Sequence, residues 1–476
     1  MNTDFRKTRI IATLGPASSA PVMISQLIST GVNVFRLNFS HAEQETHESV
    51  IQHVRQISKD LGLPVGVLQD LQGPKIRIGT FANDQVHLDP GDRFSLYCEA
   101  DGKGDDKGII VSYPNLYQDI SVGDSILLDD GRLRLQVVDV KDKTIITMVE
   151  IGGELSNNKG VNVPGADLRI PSLTDKDISD IAFGAKLDVD WVAMSFVRDR
   201  DDILLARHYM NRANSRAKLM AKIEKPGAVR NFSAILSASD GIMIARGDLG
   251  VELSTEQVPI IQKRLIGLAR GAGKPVITAT QMLESMVDNP TPTRAEASDV
   301  ANAIYDGTDG IMLSAETAVG SYPIEAVSMM VRIATDVEAD DEFQRTSRMG
   351  HPNPEHTIAD AVSLAACEMA HNLDADVIVT FSSSGSTALR VSRNRYATPI
   401  IAYTTRVKTY HQLCLSWGVL PLLGDELHST DHMVELANEA ILKTGIAKPG
   451  DCYVITAGVP FGVIGTTNMI RIETVK

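Results

Sequence analysis

Short apolar runs recur along the first two-thirds of the chain, and most stop abruptly in charge, hydroxyl groups or glycine. Runs at 8–14, 33–38 and 64–69 alternate with segments at 22–28 and 43–61 whose apolar positions repeat as helical stripes. A continuous apolar run reads as a buried parallel strand, and a 3.6-residue stripe as an amphipathic helix. Ser18 or Ser19 is expected to cap the first helix, and Gly31 to end it. After Asp70 the rhythm changes. From about 73 to 164 short strands and turns follow one another, among them 91–97 and 123–128, with no helix expected. Asp130-Gly131 reads as a hairpin turn and 132–138 as its return strand. The strand–helix rhythm then resumes with runs at 190–196, 217–221, 241–245, 274–280 and 309–314.

These runs make eight strands, each followed by a helical segment, which is the pattern of a (β/α)8 TIM barrel. Asp-Gly-Ile-Met occurs at both Asp240 and Asp309, as equivalent positions of a repetitive architecture would allow. The insertion after the third strand reads as a small β-barrel lid over the carboxyl end. Residues 347–355 are polar, with Pro352 and Pro354, and read as a linker. Beyond it a helix at 357–373 and strands at 376–380, 399–403, 419–422 and 451–456 describe a C-terminal three-layer α/β domain. The expected division is a barrel from 1–70 and 165–345, a lid from 71–164 and a third domain from 346–476.

Chemistry belongs at the carboxyl ends of barrel strands. The run at 217–221 ends in Lys222 and Glu224, and that at 241–245 ends in Arg246, Gly247 and Asp248. Two carboxylates from neighbouring strand ends suit Mg2+, and a lysine between them suits a phosphoryl group or an enolate. The other strand ends add Arg36, Asn38 and Ser40, then Asp70, then Thr278 and Thr280, then Ser314 and Glu316. Such a basin fits a small phosphorylated anion. Thr278 and Ser314 fit helix capping equally well. An exposed ion-pair cluster is the bland reading of the charges, and such pairs contribute little.

Composition narrows the partners. An apolar fraction of 43% over 476 residues allows large cores. A net charge of -14 without a basic run argues against nucleic acid and anionic membranes. Cys98, Cys367, Cys414 and Cys452 are widely spaced, as reduced thiols of a cytoplasmic protein would be. No signal core and no membrane-spanning apolar run is expected.

Several stretches together resemble the pyruvate kinase family, its K+-independent bacterial branch in particular. They are Arg36-Leu37-Asn38-Phe39-Ser40-His41, the segment 70–77, Lys222-Ile223-Glu224, the segments 242–251 and 278–286, Pro292-Thr293-Arg294-Ala295-Glu296 and Leu313-Ser314-Ala315-Glu316-Thr317. The resemblance implies transfer of the phosphoryl group of phosphoenolpyruvate to ADP, giving ATP and pyruvate in glycolysis. It implies that Glu224 and Asp248 hold Mg2+, and that Lys222 stabilises the transferring group and the developing enolate. Arg36 and Arg77 would contact phosphate. Gly247, Asp248 and Thr280 would hold the substrate carboxylate, with Thr280 near the protonated carbon. Asn38, Phe39, Ser40, His41, Arg77 and Lys159 match nucleotide-side positions. A homotetramer with effector response at its interfaces is also implied.

One departure bears on K+. Family members that need it hold it at positions matching Asn38, Ser40, Asp70 and Leu71, and carry glutamate where this chain has Lys75. Lys75 is therefore expected to place its ammonium where the monovalent cation would sit, so that K+ is not required. In the third domain the loop Ser382-Ser383-Ser384-Gly385-Ser386-Thr387 is the candidate effector site. Its lack of basic residues points to a sugar monophosphate or AMP rather than a sugar bisphosphate. Two rival readings are a pyruvate-forming aldolase or lyase and a catalytically dead sensor. The first has no need of Arg36, Arg77 and Lys222 together, and the second predicts loss of Lys222, Glu224 or Asp248, all of which are present.

Overall fold

A computed structural model describes residues 5–166, 168–349, 356–461, 463 and 465–476. Eight parallel strands close on one another in chain order: Arg9–Leu14, Val34–Asn38, Gly66–Asp70, Trp191–Met194, Lys218–Ile223, Gly241–Ala245, Val276–Ala279 and Gly310–Leu313. Each apolar run read from the sequence supplies one strand. Their outward residues, such as Ile10, Phe35 and Ile242, pack against the surrounding helices. Their inward residues, Ile11, Val34, Leu68, Trp191, Met220, Met243, Ile277 and Met312, fill the interior. Cys414 and Leu415 of the third domain join that interior cluster, so the C-terminal domain plugs the barrel.

The first helix, Pro21–Thr30, departs from expectation at its start. Ala20 is the cap residue and makes no side-chain cap bond, while Pro21 supplies the fixed φ that opens the helix. Ser18 Oγ instead accepts from Gly15 N–H at 3.2 Å, and Ser19 Oγ donates to the Gly15 carbonyl at 2.8 Å. Both serines thus tighten the turn after the first strand. Gly31 ends the helix at φ 127. The stretch Thr293–Glu296 is a capping box for helix Arg294–Tyr305. Its resemblance to the family pattern therefore has a structural cause as well.

Between the third and fourth barrel strands lies a strand-rich unit with its own apolar core, including Phe81, Phe94, Ile126 and Leu135. A six-stranded sheet and a two-stranded ladder share this core. The hairpin of Ser125–Leu128 and Leu133–Lys141 turns through Asp129, Asp130 and Gly131, all at positive φ. One helical turn, Leu116–Asp119, interrupts the strands where none was expected.

The third domain is a five-stranded sheet between two apolar layers. Four strands are parallel, and a fifth, Thr467–Thr474, runs antiparallel beside Cys452–Gly458. The expected linker is described only in part: helix Asp341–Met349 covers its start, and 350–355 lie outside the described residues. No described helix is long and apolar enough to cross a membrane.

Candidate active site

Strand alternation builds the site directly on the core. Ile11, Val34, Leu68 and Met220 point inward. Two residues later the same strands carry Thr13, Arg36, Asp70 and Lys222 on the same face, one layer nearer the carboxyl end. Parallel register sets Arg36 beside Thr13, and Asn38 beside Asp70.

Asp70 is the centre of this layer and is 1% exposed. Arg36 Nε lies 2.6 Å from its Oδ2, and Lys222 Nζ 3.1 Å from its Oδ1. Arg36 also donates to Thr13 Oγ1 at 3.1 Å. Burial pushes the Asp70 carboxyl up, but the charges of Lys222 and Arg36 outweigh it and hold the group below the ordinary range. Lys222 Nζ lies 2.9 Å from Glu224 Oε1 and donates to Ser195 Oγ at 2.8 Å. Ser195 in turn donates to the Leu71 carbonyl at 2.8 Å. Burial pushes the Lys222 pKa down, yet Asp70 and Glu224 more than offset it and raise it well above that of a free lysine.

Burial pushes Glu224 up. Lys222 pulls it back, and the nearby charge of Asp248 pushes it up again. The Phe196 N–H donates to Glu224 Oε2 at 2.7 Å and fixes that carboxylate in place. Two carboxylates that feel one another beside a fixed cation form a hard-oxygen donor pair. No cluster of three or more His, Cys, Asp or Glu placed for a metal occurs among the described residues. A two-carboxylate site fits Mg2+, which keeps waters and substrate oxygens in its remaining positions.

Thr280 sits at φ 70 and Gln281 at φ 53. A β-branched residue in the left-handed region stores strain, on the order of 1–3 kcal/mol. The strain aims Thr280 Oγ1 at the Gly247 N–H, which donates to it at 2.7 Å. Arg246 holds the turn open by donating to the carbonyls of Thr280 at 2.8 Å and Gln281 at 3.1 Å, and pairs with Asp299 at 2.6 Å. It buttresses the site rather than entering the basin. Thr278 also stays out: its Oγ1 donates to Thr308 Oγ1 at 3.1 Å in the barrel wall. The Ser314 N–H donates to Glu316 Oε2 at 2.7 Å, so this pair shapes the turn after the eighth strand.

The nucleotide-side residues divide. Asn38 Oδ1 accepts from the Ser40 N–H at 3.1 Å, which fixes the turn after the second strand. Phe39 is 1% exposed, with its ring stacked on His47 at 4.1 Å, so its side chain belongs to the core. His41 is exposed. What burial it has lowers its pKa, and the charges of Arg77 and Arg36 lower it further. Arg77 reaches in from the lid and donates to the Asn158 carbonyl at 3.0 Å, while Lys159 pairs with Asp129 at 2.8 Å.

Lys75 comes from the lid and meets two carboxylates. Its ammonium lies 3.7 Å from Asp248 and 3.9 Å from Asp130. Asp70 is neutralised by Arg36 and Lys222, and Leu71 offers only a carbonyl that Ser195 already uses. Lid geometry, which no local pattern encodes, decides where this flexible side chain pairs. Sequence reasoning passed over Thr13 and Ser195. Both follow an inward apolar residue by two positions, Ile11 and Ala193, and that spacing was the available signal.

In the third domain Ser382, Ser383, Ser384, Ser386 and Thr387 line a cavity of about 340 Å³, and Arg406 lines it too. Gly385 turns the loop at φ 81. Thr387 Oγ1 already pairs with Thr467 Oγ1 at 2.7 Å. Arg406 is a basic group that the loop sequence alone does not contain.

Comparison with known proteins shows the family. The family described as pyruvate kinase, barrel domain, matches residues 5–327, and that described as pyruvate kinase, alpha/beta domain, matches residues 360–473. The chain belongs to the pyruvate kinase family. A pyruvate kinase of Agrobacterium vitis is 45% identical over 98% of this chain and 98% of its own length. One of Clostridium acetobutylicum is 42% identical over 99% of this chain and 100% of its own. Pyruvate kinase 2 of a Synechocystis strain is 46% identical over 99% of this chain and 80% of its own. As a pyruvate kinase family member the protein is a phosphotransferase.

Proposed function

We propose that this enzyme transfers the phosphoryl group of phosphoenolpyruvate to ADP, giving ATP and pyruvate. The reading rests on one observation above all. The buried chain Arg36–Asp70–Lys222–Glu224 fixes a permanently charged ammonium at the barrel mouth, next to a carboxylate pair. Phosphoryl transfer asks little covalent chemistry of a protein, so positioning and charge neutralisation dominate.

In this reading the bond between phosphorus and the enol oxygen breaks as one to a terminal oxygen of ADP forms. Lys222 neutralises charge on the departing group and on the enolate. Arg36 and Arg77 hold phosphate oxygens. The Gly247 N–H and the Thr280 hydroxyl, which meet each other in the unliganded chain, turn to the substrate carboxylate when it binds, and Thr280 stands near the enolate carbon that gains a proton. Asn38, Ser40, His41 and Lys159 serve the nucleotide side. Glu224 and Asp248 hold Mg2+, which when bound supplies Lewis-acid neutralisation of substrate oxygens.

K+ independence is part of the proposal. Lys75, 3.7 Å from Asp248, supplies the fixed positive charge that a monovalent cation would otherwise bring. The cavity of the third domain takes a phosphorylated effector, a sugar monophosphate or AMP, between the serine loop and Arg406. A cytoplasmic homotetramer completes the reading on family resemblance.

The test is pyruvate formation from phosphoenolpyruvate and ADP with Mg2+, first without K+ and then with it. Full activity without K+ is the expected result. Activity that appears only with K+ keeps the kinase and removes the Lys75 argument. No pyruvate in either buffer, with sugar phosphates and AMP present, overturns the assignment.

A further inference from the structure

The short helix Arg246–Glu252 carries Gly247 and Asp248 at one end. At the other end Glu252 is buried, and its Oε1 receives two donors from different parts of the fold. Lys225, which follows Glu224 directly, lies 2.5 Å away. Asn162 of the lid donates its Nδ2 hydrogen at 2.8 Å and is itself buried. The same helix meets the lid twice more, through Asp248 facing Lys75, and through Val251 next to the hairpin turn at Gly131. Of the three contacts, only that of Asn162 and Glu252 joins two buried polar groups at hydrogen-bond distance.

Asn162 is well placed to govern what the lid delivers. It lies on the strand Val161–Asn162, which pairs with the hairpin strand Ser125–Leu128. Gly160 bridges to Arg77, and Lys159 pairs with Asp129 at the hairpin turn. The contiguous stretch 159–162 therefore links Asn162 to Arg77 and Lys159. The lid's two connections are pinned elsewhere. The Gly73 N–H donates to Asp177 on the way out, and Arg198 donates to the carbonyls of Leu168 and Ile170 on the way back. Beside the clamp a cavity of about 610 Å³ separates lid from barrel, so the lid base has room to swing.

We propose that Asn162 and Glu252 are positioning residues: their hydrogen bond clamps the lid base to the helix that carries Gly247 and Asp248, and so sets the reach of Arg77 and Lys159 over the nucleotide side. The inference rests on the phosphotransfer reading for its kinetic consequence and on geometry alone for the clamp. A buried carboxylate that loses its donor is left partly unsatisfied, which favours swinging the lid away to admit water.

The experiment uses the full-length enzyme and three variants: Asn162→Asp, Glu252→Gln, and the two combined. Asn162→Asp sets carboxylate against carboxylate. The combined variant restores a donor–acceptor pair with its polarity reversed. For Asn162→Asp, KM for ADP is expected to rise about 10-fold, with KM for phosphoenolpyruvate changed less than about 2-fold, since displaced groups lose reach rather than charge. Hydrogen exchange of amides near Val161 should speed up, and the combined variant should reverse both effects. A purely structural defect would lower kcat and leave the ratio of the two KM values unchanged. That result, or unchanged exchange at the lid base in Asn162→Asp, overturns the clamp. So does a combined variant no better than the single one. If the wild-type chain made no pyruvate the functional reading would fall, and the exchange measurement would still decide the clamp.

Discussion

Lys222 and Asp70 stand 3.1 Å apart at the barrel mouth, both buried, and Asp70 spends its other oxygen on Arg36. One carboxylate thus balances two cations to which the proposed phosphoryl transfer gives a role. Removing one partner of a buried charge network leaves the rest uncompensated, at a cost of about 3–5 kcal/mol. Asp70→Asn should lower the urea midpoint by a corresponding amount and reduce kcat by at least about 100-fold. An unchanged midpoint would show that Arg36 and Lys222 find other partners.

Thr280 separates strain from chemistry. Thr280→Ser keeps the hydroxyl that meets the Gly247 N–H and removes the β-branch at φ 70. Activity within about threefold of wild type is expected, with stability equal or slightly higher. Thr280→Ala keeps no hydroxyl and should lose at least about 10-fold in kcat/KM. Equal losses in both variants would mean that the methyl group, not the hydroxyl, matters.

Lys75 offsets the negative charge of Asp248 and Asp130. Lys75→Glu should lower activity about 10-fold or more in K+-free buffer and allow partial recovery when K+ is added. Activity that is unchanged without K+ removes the idea.

His411 gives a pH-dependent test of the joint between barrel and third domain. Its Nδ1 lies 3.0 Å from the Val65 carbonyl, just before the third barrel strand. Burial lowers its pKa, and Asp190 recovers only part of the loss. Above the unfolded value of about 6.5 the ring is neutral in both states, so its contribution to stability is fully present. As pH falls below that value the unfolded chain takes up a proton that the folded chain resists, and stability is lost. His411→Gln removes this term, so the Tm advantage of wild type should shrink between about pH 7.5 and pH 5.5. A constant difference would place the titration elsewhere.

Arg406 and the serine loop can be tested without touching the barrel. Ser384→Ala with Ser386→Ala, or Arg406→Ala alone, should abolish activation by a sugar monophosphate or AMP and leave basal activity unchanged. The phosphate would lose its hydroxyl and guanidinium partners. Activation that persists in all of them would move the effector to another place.

The eight barrel strands were legible because a buried parallel strand must be apolar on both faces, and runs such as 241–245 have no other use. The change after Asp70 was legible because the lid lacks helical stripes. The turn at Asp130-Gly131 was legible because few residues tolerate positive φ. Lys222, Glu224 and Asp248 could be picked out because charge directly after a buried strand has one place to go. The edge strand Thr467–Thr474 was missed, since half of it faces solvent and its alternation is diluted by Asn468, Arg471 and Glu473.

Sequence by itself therefore determined which elements form, in what order, and which residues stand at the barrel mouth. The periodicities behind those conclusions are local, repeating every two or every 3.6 residues. Only the tertiary structure decided which charges meet. Closure of the barrel brought Arg36 and Lys222 to the two oxygens of Asp70, turned Arg246 toward the Thr280 backbone, and sent the Phe39 ring into the core. The seating of the lid paired Lys75 with Asp248 and joined Asn162 to Glu252, 90 residues away. Such pairs depend on where rigid elements come to rest, and long flexible side chains choose among neighbours that sequence spacing does not place together.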